Sequence, residues 1–243
     1  MMKPISIFLS SLVLAAGLAG CDKPKNAGSP TAQAPAAGVE APKAPEPEPW
    51  IVGNELGDWK PLEAASQAKV SVKDGVLYLG SGDGVSGVVY TGKREIPVVD
   101  YELTWEAMKI DGVDFFGAAT FPVRDAKTCV TLINGGWGGG VTGISCIDEM
   151  SANENNTQST IGYKDGQWYK FRVLVTAEMM VGYVDDKQIF KVLIKDKKVG
   201  LRSGDIELCA PFGFATYMTK GAVKNIQFRP IKSSELKPDA DTF

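Results

Sequence analysis

The sequence has no histidine, few cysteines and no excess of positive charge, and each absence removes a class of function. Without histidine, the chain cannot build a Ser–His triad, a histidine general base or a histidine metal site. Four cysteines in 243 residues are too few for a disulfide-dense scaffold. A formal net charge of −3 provides no broad basic surface, so we expect no nucleic-acid partner. Catalysis, if present, would depend on carboxylates, Lys, Tyr, Arg or Cys.

One long apolar run is present, at the N-terminus. The run ISIFLSSLVLAAGLAG follows MMKP and ends in small residues, which predicts a signal peptide over 1–20. Its end, Leu18-Ala19-Gly20-Cys21, resembles the bacterial lipobox. That resemblance implies cleavage before Cys21, acylation of Cys21, and a lipid bilayer as partner. We therefore expect a location in the cell envelope, on the periplasmic or extracellular face of a bacterial membrane. The alternative is an ordinary signal peptide with an incidental cysteine.

The composition after Cys21 divides the mature chain into three parts. Residues 21–49 are rich in Pro and Ala and poor in large apolar residues, which predicts a disordered tether. Residues 50–231 have the length and apolar content of one domain. Residues 232–243 are polar and predict a flexible tail.

Short segments with strand patterns follow one another through the predicted domain. KVSVKDGVLYL alternates around Asp74-Gly75, which is a hairpin signal, and YELTWEAM alternates apolar and polar residues. No window carries a helical stripe over three turns, and one short helix over residues 61–68 is the only helical expectation. Many short strands separated by turns predict an all-β fold, an antiparallel two-sheet β-sandwich or jelly roll.

The order of these segments carries a family resemblance. DGVLYL, YELTWEA, DGQWYKFRVLVT, VDDKQIF and PFGFATYMTKGAVKNIQFRPI occur in that order along the chain. The series resembles the concanavalin A-like lectin/glucanase jelly rolls and is most similar to the bacterial 3-keto-disaccharide hydrolase domain family, over about residues 50–231. The resemblance implies a jelly-roll sandwich and an activity on oxidised sugars. Such sites are expected to use a metal or histidine, and this chain departs from that pattern because it has no histidine.

A glycine-rich stretch, NGGWGGG at 134–140, lies between two apolar runs. It lacks the lysine and the following helix of a phosphate-binding loop, so a hairpin turn is favoured. Antiparallel pairing about Trp137-Gly138 would place Cys129 directly opposite Cys146, at a spacing compatible with a disulfide. An oxidising compartment would favour that bridge and leave Cys209 free. The alternative is two buried free cysteines in unrelated strands.

Trp137 is the candidate ligand-binding residue in this turn. In one interpretation its indole caps the core. In the other it is a stacking platform for the apolar face of a sugar, with Asp148 and Asn153 as polar partners from the segment IDEMSANENNTQST. That segment could equally be a solvated surface loop, or less favourably a calcium site; otherwise no metal or cofactor is expected.

The carboxylates do not show the spacing of a two-carboxylate hydrolase. Asp148 and Glu149 are adjacent, so in a strand they would face opposite ways. Glu102 and Glu106 would lie roughly 13 Å apart on one face, which exceeds the range of that chemistry. The sequence thus favours a membrane-tethered carbohydrate-binding or scaffolding module. The alternatives are a glycoside-cleaving enzyme and a structural envelope protein that binds another protein.

Overall fold

A computed structural model describes residues 48–232, Ser234 and Leu236. The predicted signal peptide, Cys21 and nearly all of the predicted tether lie outside the described residues, as does most of the predicted tail. Within the described part of the chain, no helix is both long enough and apolar enough to cross a membrane.

The domain consists of two seven-stranded antiparallel sheets, which confirms the predicted all-β sandwich. The first sheet has the order β1-β4-β13-β6-β7-β8-β9 and the second has the order β12-β11-β10-β5-β14-β3-β2. The strands of the first sheet are β1 Trp59–Pro61, β4 Val85–Tyr90, β6 Ala118–Val123, β7 Asp125–Gly135, β8 Val141–Ser145, β9 Ser159–Thr160 and β13 Gly213–Tyr217. Those of the second are β2 Val70–Lys73, β3 Val76–Leu79, β5 Tyr101–Gly112, β10 Trp168–Val175, β11 Met179–Val184, β12 Lys187–Leu193 and β14 Thr219–Pro230.

Two tight hairpins form where the sequence places turn residues. Asp74 and Gly75 join β2 to β3 with φ values of 51° and 73°. Asp185 and Asp186 join β11 to β12 with φ values of 47° and 63°. Positive φ at both central positions matches the right-handed twist of the flanking strands. The helix expected near residues 61–68 does not form, since Pro61 ends β1 and turns follow it.

The core between the sheets is built from the alternation seen in the sequence. Tyr101, Leu103, Trp105 and Ala107 of β5 are all fully buried. The Trp105 ring stacks on Phe171 of β10 with 5.4 Å between centroids. Burial of such a side chain contributes about 1.5–3 kcal/mol, so this layer holds the two sheets together.

The outer face of the first sheet is also largely covered. Every residue of β6 is buried, which a strand with one face in solvent does not show. A short 3-10 helix, Asp205–Cys209, packs on Ala215 through Ile206 and Cys209. On the other side Ala152 packs on Ala118 and Ile133. The segments 146–158 and 200–209 therefore form an additional layer over this face, and the second of them borders the site described next.

Candidate functional site

A cavity of about 430 Å³ opens beside the covering segment 200–209. Its floor is the outer face of the first sheet and its walls come from four connections between strands. The residues that line it are Gly84, Val85, Asp114, Phe115, Thr131, Ile133, Trp137, Ser145, Arg202, Ser203, Gly204, Asp205, Ile206 and Tyr217. We call it the site cavity.

Trp137 stands on a tight turn, Gly136–Gly139, between β7 and β8. Gly135, Trp137 and Gly138 have φ values of 76°, 51° and 82°, so the chain reverses through left-handed conformations. Asp114 holds the turn from the side: its Oδ2 accepts the Gly138 N–H at 2.9 Å. Its Oδ1 accepts the Phe115 N–H at 2.9 Å. One carboxylate thus ties the turn to the connection between β5 and β6.

The Trp137 indole is exposed at the edge of the site cavity, with 39% of the residue accessible. A non-glycine residue in the left-handed region lowers stability by roughly 1–2 kcal/mol, whereas a glycine adopts this conformation without that cost. The position would suit glycine, yet it carries the largest side chain. This combination favours the stacking platform over the core cap.

An aromatic pair, Phe115 and Tyr217, also lines the site cavity. Phe115 and Tyr217 lie with ring centroids 5.9 Å apart, and Tyr217 is 37% exposed. Val113, two residues before Phe115, and Met218, which follows Tyr217, are 63% and 45% exposed. Large apolar side chains that remain exposed mark a surface that a ligand or partner can cover.

The floor provides hydroxyl groups. Thr120, Thr131 and Ser145 are direct cross-strand neighbours on β6, β7 and β8. The hydroxyls of Thr120 and Thr131 are 2.8 Å apart. Thr131 and Ser145 also line the cavity. These floor hydroxyls are buried, whereas Ser203 and Asp205 of the lining are exposed. Apolar rings beside exposed polar groups suit a ligand that has both C–H faces and hydroxyl edges.

The segment 200–209 supplies the charged groups of the rim. The Arg202 guanidinium carbon lies 5.7 Å from the centroid of the Trp137 ring, within range of a weak cation–π contact. Asp205 begins the 3-10 helix, and the buried Ile206 fixes that helix to the sheet. The rim therefore offers a cation and a carboxylate to a ligand that rests on Trp137.

Asp148, predicted as a polar partner of Trp137, is not part of the site cavity. Its Oδ2 accepts from Lys197 Nζ at 2.7 Å and its Oδ1 accepts the Lys198 N–H at 3.0 Å. The Lys197 hydrogen bond lowers the pKa of Asp148. Asp148 and Glu149 have positive φ, which makes a turn that directs both carboxylates to lysines on the neighbouring segment.

Asn153 is likewise absent from the cavity lining, and the segment around it is a packed cover over the sheet. Asn155 holds this cover in place. Its Nδ2 donates to the carbonyls of Ile144, Met150 and Ser151. Its Oδ1 accepts from the Thr157 N–H at 2.9 Å. The short polar side chains therefore satisfy the cover's own backbone.

The predicted Cys129–Cys146 bridge is not present. Thr131 pairs with Ser145, which shifts the β7–β8 register by one residue from the predicted pairing. A shift of one residue moves side chains to opposite faces of a strand pair. Cys129, Cys146 and Cys209 are buried free thiols among the described residues. Burial raises the pKa of Cys129 to about 11 and that of Cys209 to about 12.

Glu102 and Glu106 lie on the second sheet and form ion pairs there. Glu102 contacts Arg172 and Arg229 at 3.3 and 3.2 Å, and Glu106 contacts Lys224 at 3.4 Å. Burial opposes ionisation of Glu102, but the hydrogen bonds and charges of the two arginines outweigh it and lower its pKa. Within the described residues, no three His, Cys, Asp or Glu side chains cluster closely enough to hold a metal ion.

Several groups of the site cavity were not identified from the sequence: Asp114, Phe115, Thr131, Ser145, Arg202, Asp205 and Tyr217. They come from segments up to about 100 residues apart, which meet because β13 lies between β4 and β6. The Asp114 position next to an aromatic pair in GVDFFG was the one local signal. The other positions depend on strand order, which the sequence pattern does not specify.

No protein-family model matches the sequence, and no curated protein matches it significantly. Solved structures with a similar fold do exist. Carbohydrate binding module CBM66 from Bacillus subtilis has a TM-score of 0.47 and 12% identity over 71% of this chain and 95% of its own. Domain 4 of the GH43 arabinanase AbnA from Geobacillus stearothermophilus, in complex with arabinotriose, has a TM-score of 0.44 and 14% identity over 77% of this chain and 85% of its own. A putative glycosyl hydrolase from Parabacteroides distasonis has a TM-score of 0.42 and 12% identity over 73% of this chain and 90% of its own. Similarity at this level does not extend to a ligand or an activity.

Proposed function

We propose that the domain binds a carbohydrate in the site cavity and that acylated Cys21 holds it on a bacterial membrane. The observation that carries the binding proposal is Trp137, an exposed indole kept in a left-handed backbone conformation at the edge of the site cavity. Trp137 and Tyr217 can stack on sugar C–H faces, while the exposed side chains of Ser203 and Asp205 can bond hydroxyls.

A single open site of this kind gives weak affinity. Few sugar rings can be covered at once, so we expect a Kd of about 0.1–1 mM for a short oligosaccharide. Affinity of that order suits a module that retains envelope or surface polysaccharide through many contacts.

The test is a glycan array followed by calorimetric titration of the bound glycan. Trp137→Ala and Tyr217→Ala should each abolish measurable binding. Trp168→Ala is the matched control, because that indole lies on the second sheet under Lys224, at 4.1 Å from its ammonium. Unchanged affinity in both cavity variants, or the absence of any bound glycan, would refute the proposal.

A second candidate is glycoside cleavage, favoured by the presence of two carboxylates, Asp114 and Asp205, in one cavity. Two-carboxylate hydrolysis requires one free acid and one free base or nucleophile. Asp114 already accepts two backbone N–H groups, which makes it a structural anchor rather than a reacting group. Incubation of the bound glycan with the protein distinguishes the two: release of reducing ends that is lost in Asp205→Asn would establish cleavage.

A further inference from the structure

Arg202 stands between the site cavity and a smaller adjoining one. The adjoining cavity has a volume of about 280 Å³ and is lined by Cys146, Glu149, Ser151, Lys198 and neighbouring residues of the segment 199–203. Arg202 and Ser203 line both cavities. A ligand that occupies the site cavity and extends past Arg202 would therefore enter a second pocket.

Arg202 is bonded differently from the other arginines. The sequence has five, and protein oxygen atoms hold the other four in place. Arg94 pairs with Glu48, Arg172 and Arg229 pair with Glu102, and Arg124 donates to the carbonyls of Ile194 and Lys197. Arg202 has a long contact of 3.4 Å to the Ser151 hydroxyl and the Trp137 ring at 5.7 Å. Among the described residues it forms no ion pair with a carboxylate.

The acidic groups near Arg202 are largely compensated by other partners. Glu149 pairs with Lys198. Asp114 accepts the backbone N–H groups of Phe115 and Gly138. Asp205 is the remaining carboxylate of the site cavity, and its charge opposes that of an anionic ligand. The Arg202 guanidinium therefore lines two pockets, and most of its N–H donors have no protein acceptor in the described part of the chain. Asp205 is the one carboxylate of the site cavity that would repel an anionic ligand.

We infer that the ligand of the site cavity is an acidic oligosaccharide whose carboxylate is bound by Arg202. This inference rests on the proposed carbohydrate-binding function and names the class of sugar. A guanidinium binds a carboxylate through two parallel N–H···O bonds, and its plane can lie over an aromatic ring at the same time. One sugar ring stacks on Trp137, its carboxylate reaches Arg202, and the next ring enters the adjoining cavity.

The test compares each acidic sugar with its own methyl ester, which keeps the shape and removes the charge. The full chain, purified in detergent, is titrated with oligosaccharides of uronic and sialic acids and with the matching esters. We expect at least one acid to bind about tenfold more tightly than its ester, with a preference that falls as salt is raised from 50 to 500 mM. Arg202→Gln should remove the preference, so that the acid and its ester bind this variant with equal affinity.

Two further variants test whether the preference depends on the guanidinium of Arg202. Arg202→Lys should retain part of the preference, since it keeps the charge and loses the two-point geometry. Arg94→Gln, which removes a guanidinium paired elsewhere with Glu48, should leave the preference intact. Equal affinity for acid and ester, or a preference that survives Arg202→Gln, overturns the inference but leaves the carbohydrate site standing. Failure of every acidic and neutral glycan to bind overturns both.

Discussion

At the scale of single residues, Trp137 combines a strained backbone conformation with an exposed indole. Its φ of 51° lies in the region where glycine has no steric cost, and Gly136, Gly138 and Gly139 surround it. Its indole is too exposed to serve as a main core residue and too confined by Arg202 and the cavity to be an ordinary surface side chain. Both features support the proposal that Trp137 contacts a ligand.

The strain at Trp137 gives a prediction that separates backbone from side-chain effects. Trp137→Gly and Trp137→Ala both remove the indole, but only glycine relieves the left-handed conformation. We expect Trp137→Gly to be more stable than Trp137→Ala by about 1 kcal/mol, with glycan binding lost in both. Urea unfolding of the two variants measures the difference. Equal stabilities would show that residue 137 does not hold a positive φ in solution.

Glu102 is the residue whose protonation state bears most directly on stability. Arg172 and Arg229 flank it and lower its pKa, so the folded value lies below the unfolded one. A lowered carboxyl pKa contributes stability above the unfolded pKa, near 4.3, and that contribution disappears as pH falls through the folded pKa.

Glu102→Gln should therefore destabilise the domain by about 1–2 kcal/mol at pH 7, and by progressively less below pH 4. Chemical unfolding of parent and variant between pH 3 and pH 7 provides the measurement. Glu63→Gln, the same substitution at an exposed position, serves as the matched control. A difference between parent and Glu102→Gln that grows on acidification would contradict the assignment.

At the scale of elements, local signals predicted the strands and their hairpins but not the register next to a glycine-rich turn. Asp74-Gly75 and Asp185-Asp186 specify two-residue turns, and those hairpins are as expected. In NGGWGGG several glycines can supply the positive φ values, so the point of reversal is not encoded in any one of them. The observed pairing of Thr131 with Ser145 differs by one residue from symmetric pairing about Trp137-Gly138. That single step separates Cys129 from Cys146.

The site was predictable only in part for a related reason. Trp137 is conspicuous because glycines isolate it in the sequence. Asp148 and Asn153 follow it closely along the chain, yet the chain folds its next segment into a cover over the sheet, pinned by Asn155. The actual neighbours of Trp137, Asp114 and Arg202, arrive from other connections, so proximity in sequence was a poor guide to proximity in space.

The thiols test the β7–β8 register directly. Because burial raises the pKa of Cys129 to about 11 and that of Cys209 to about 12, both thiols stay protonated and shielded in the native protein at pH 8. We expect iodoacetamide to modify them only after unfolding. A non-reducing peptide map should also show Cys129 and Cys146 unlinked. A peptide that joins these two cysteines would show that the strands pair in the other register.

At the scale of the whole molecule, the two faces of the first sheet differ in what covers them. The inner face of the first sheet packs the core through Phe121, Leu132 and Ile144, all fully buried. Its outer face carries the covering segments and the site cavity. Near the start of the described residues, Arg94 donates to the Glu48 carbonyl at 2.9 Å and lies 4.4 Å above the Trp50 ring.

The proposed lipid anchor at Cys21 and the proposed glycan site involve different parts of the sequence, and the last prediction tests them separately. Cys21 lies outside the described residues, and its acylation is expected from Leu18-Ala19-Gly20-Cys21 at the end of an apolar run. Multiple acyl chains give stable anchoring, whereas the unmodified chain has no comparable affinity for lipid. Cys21→Ser should therefore abolish incorporation of labelled palmitate and move the protein out of the membrane fraction. Its affinity for the glycan should stay within twofold of the parent, because the site cavity is formed by residues 84–217.

Cys146→Ser, which alters a buried thiol of the domain, should remain labelled and membrane-bound. Palmitate labelling that persists in Cys21→Ser would show that another residue is the anchor.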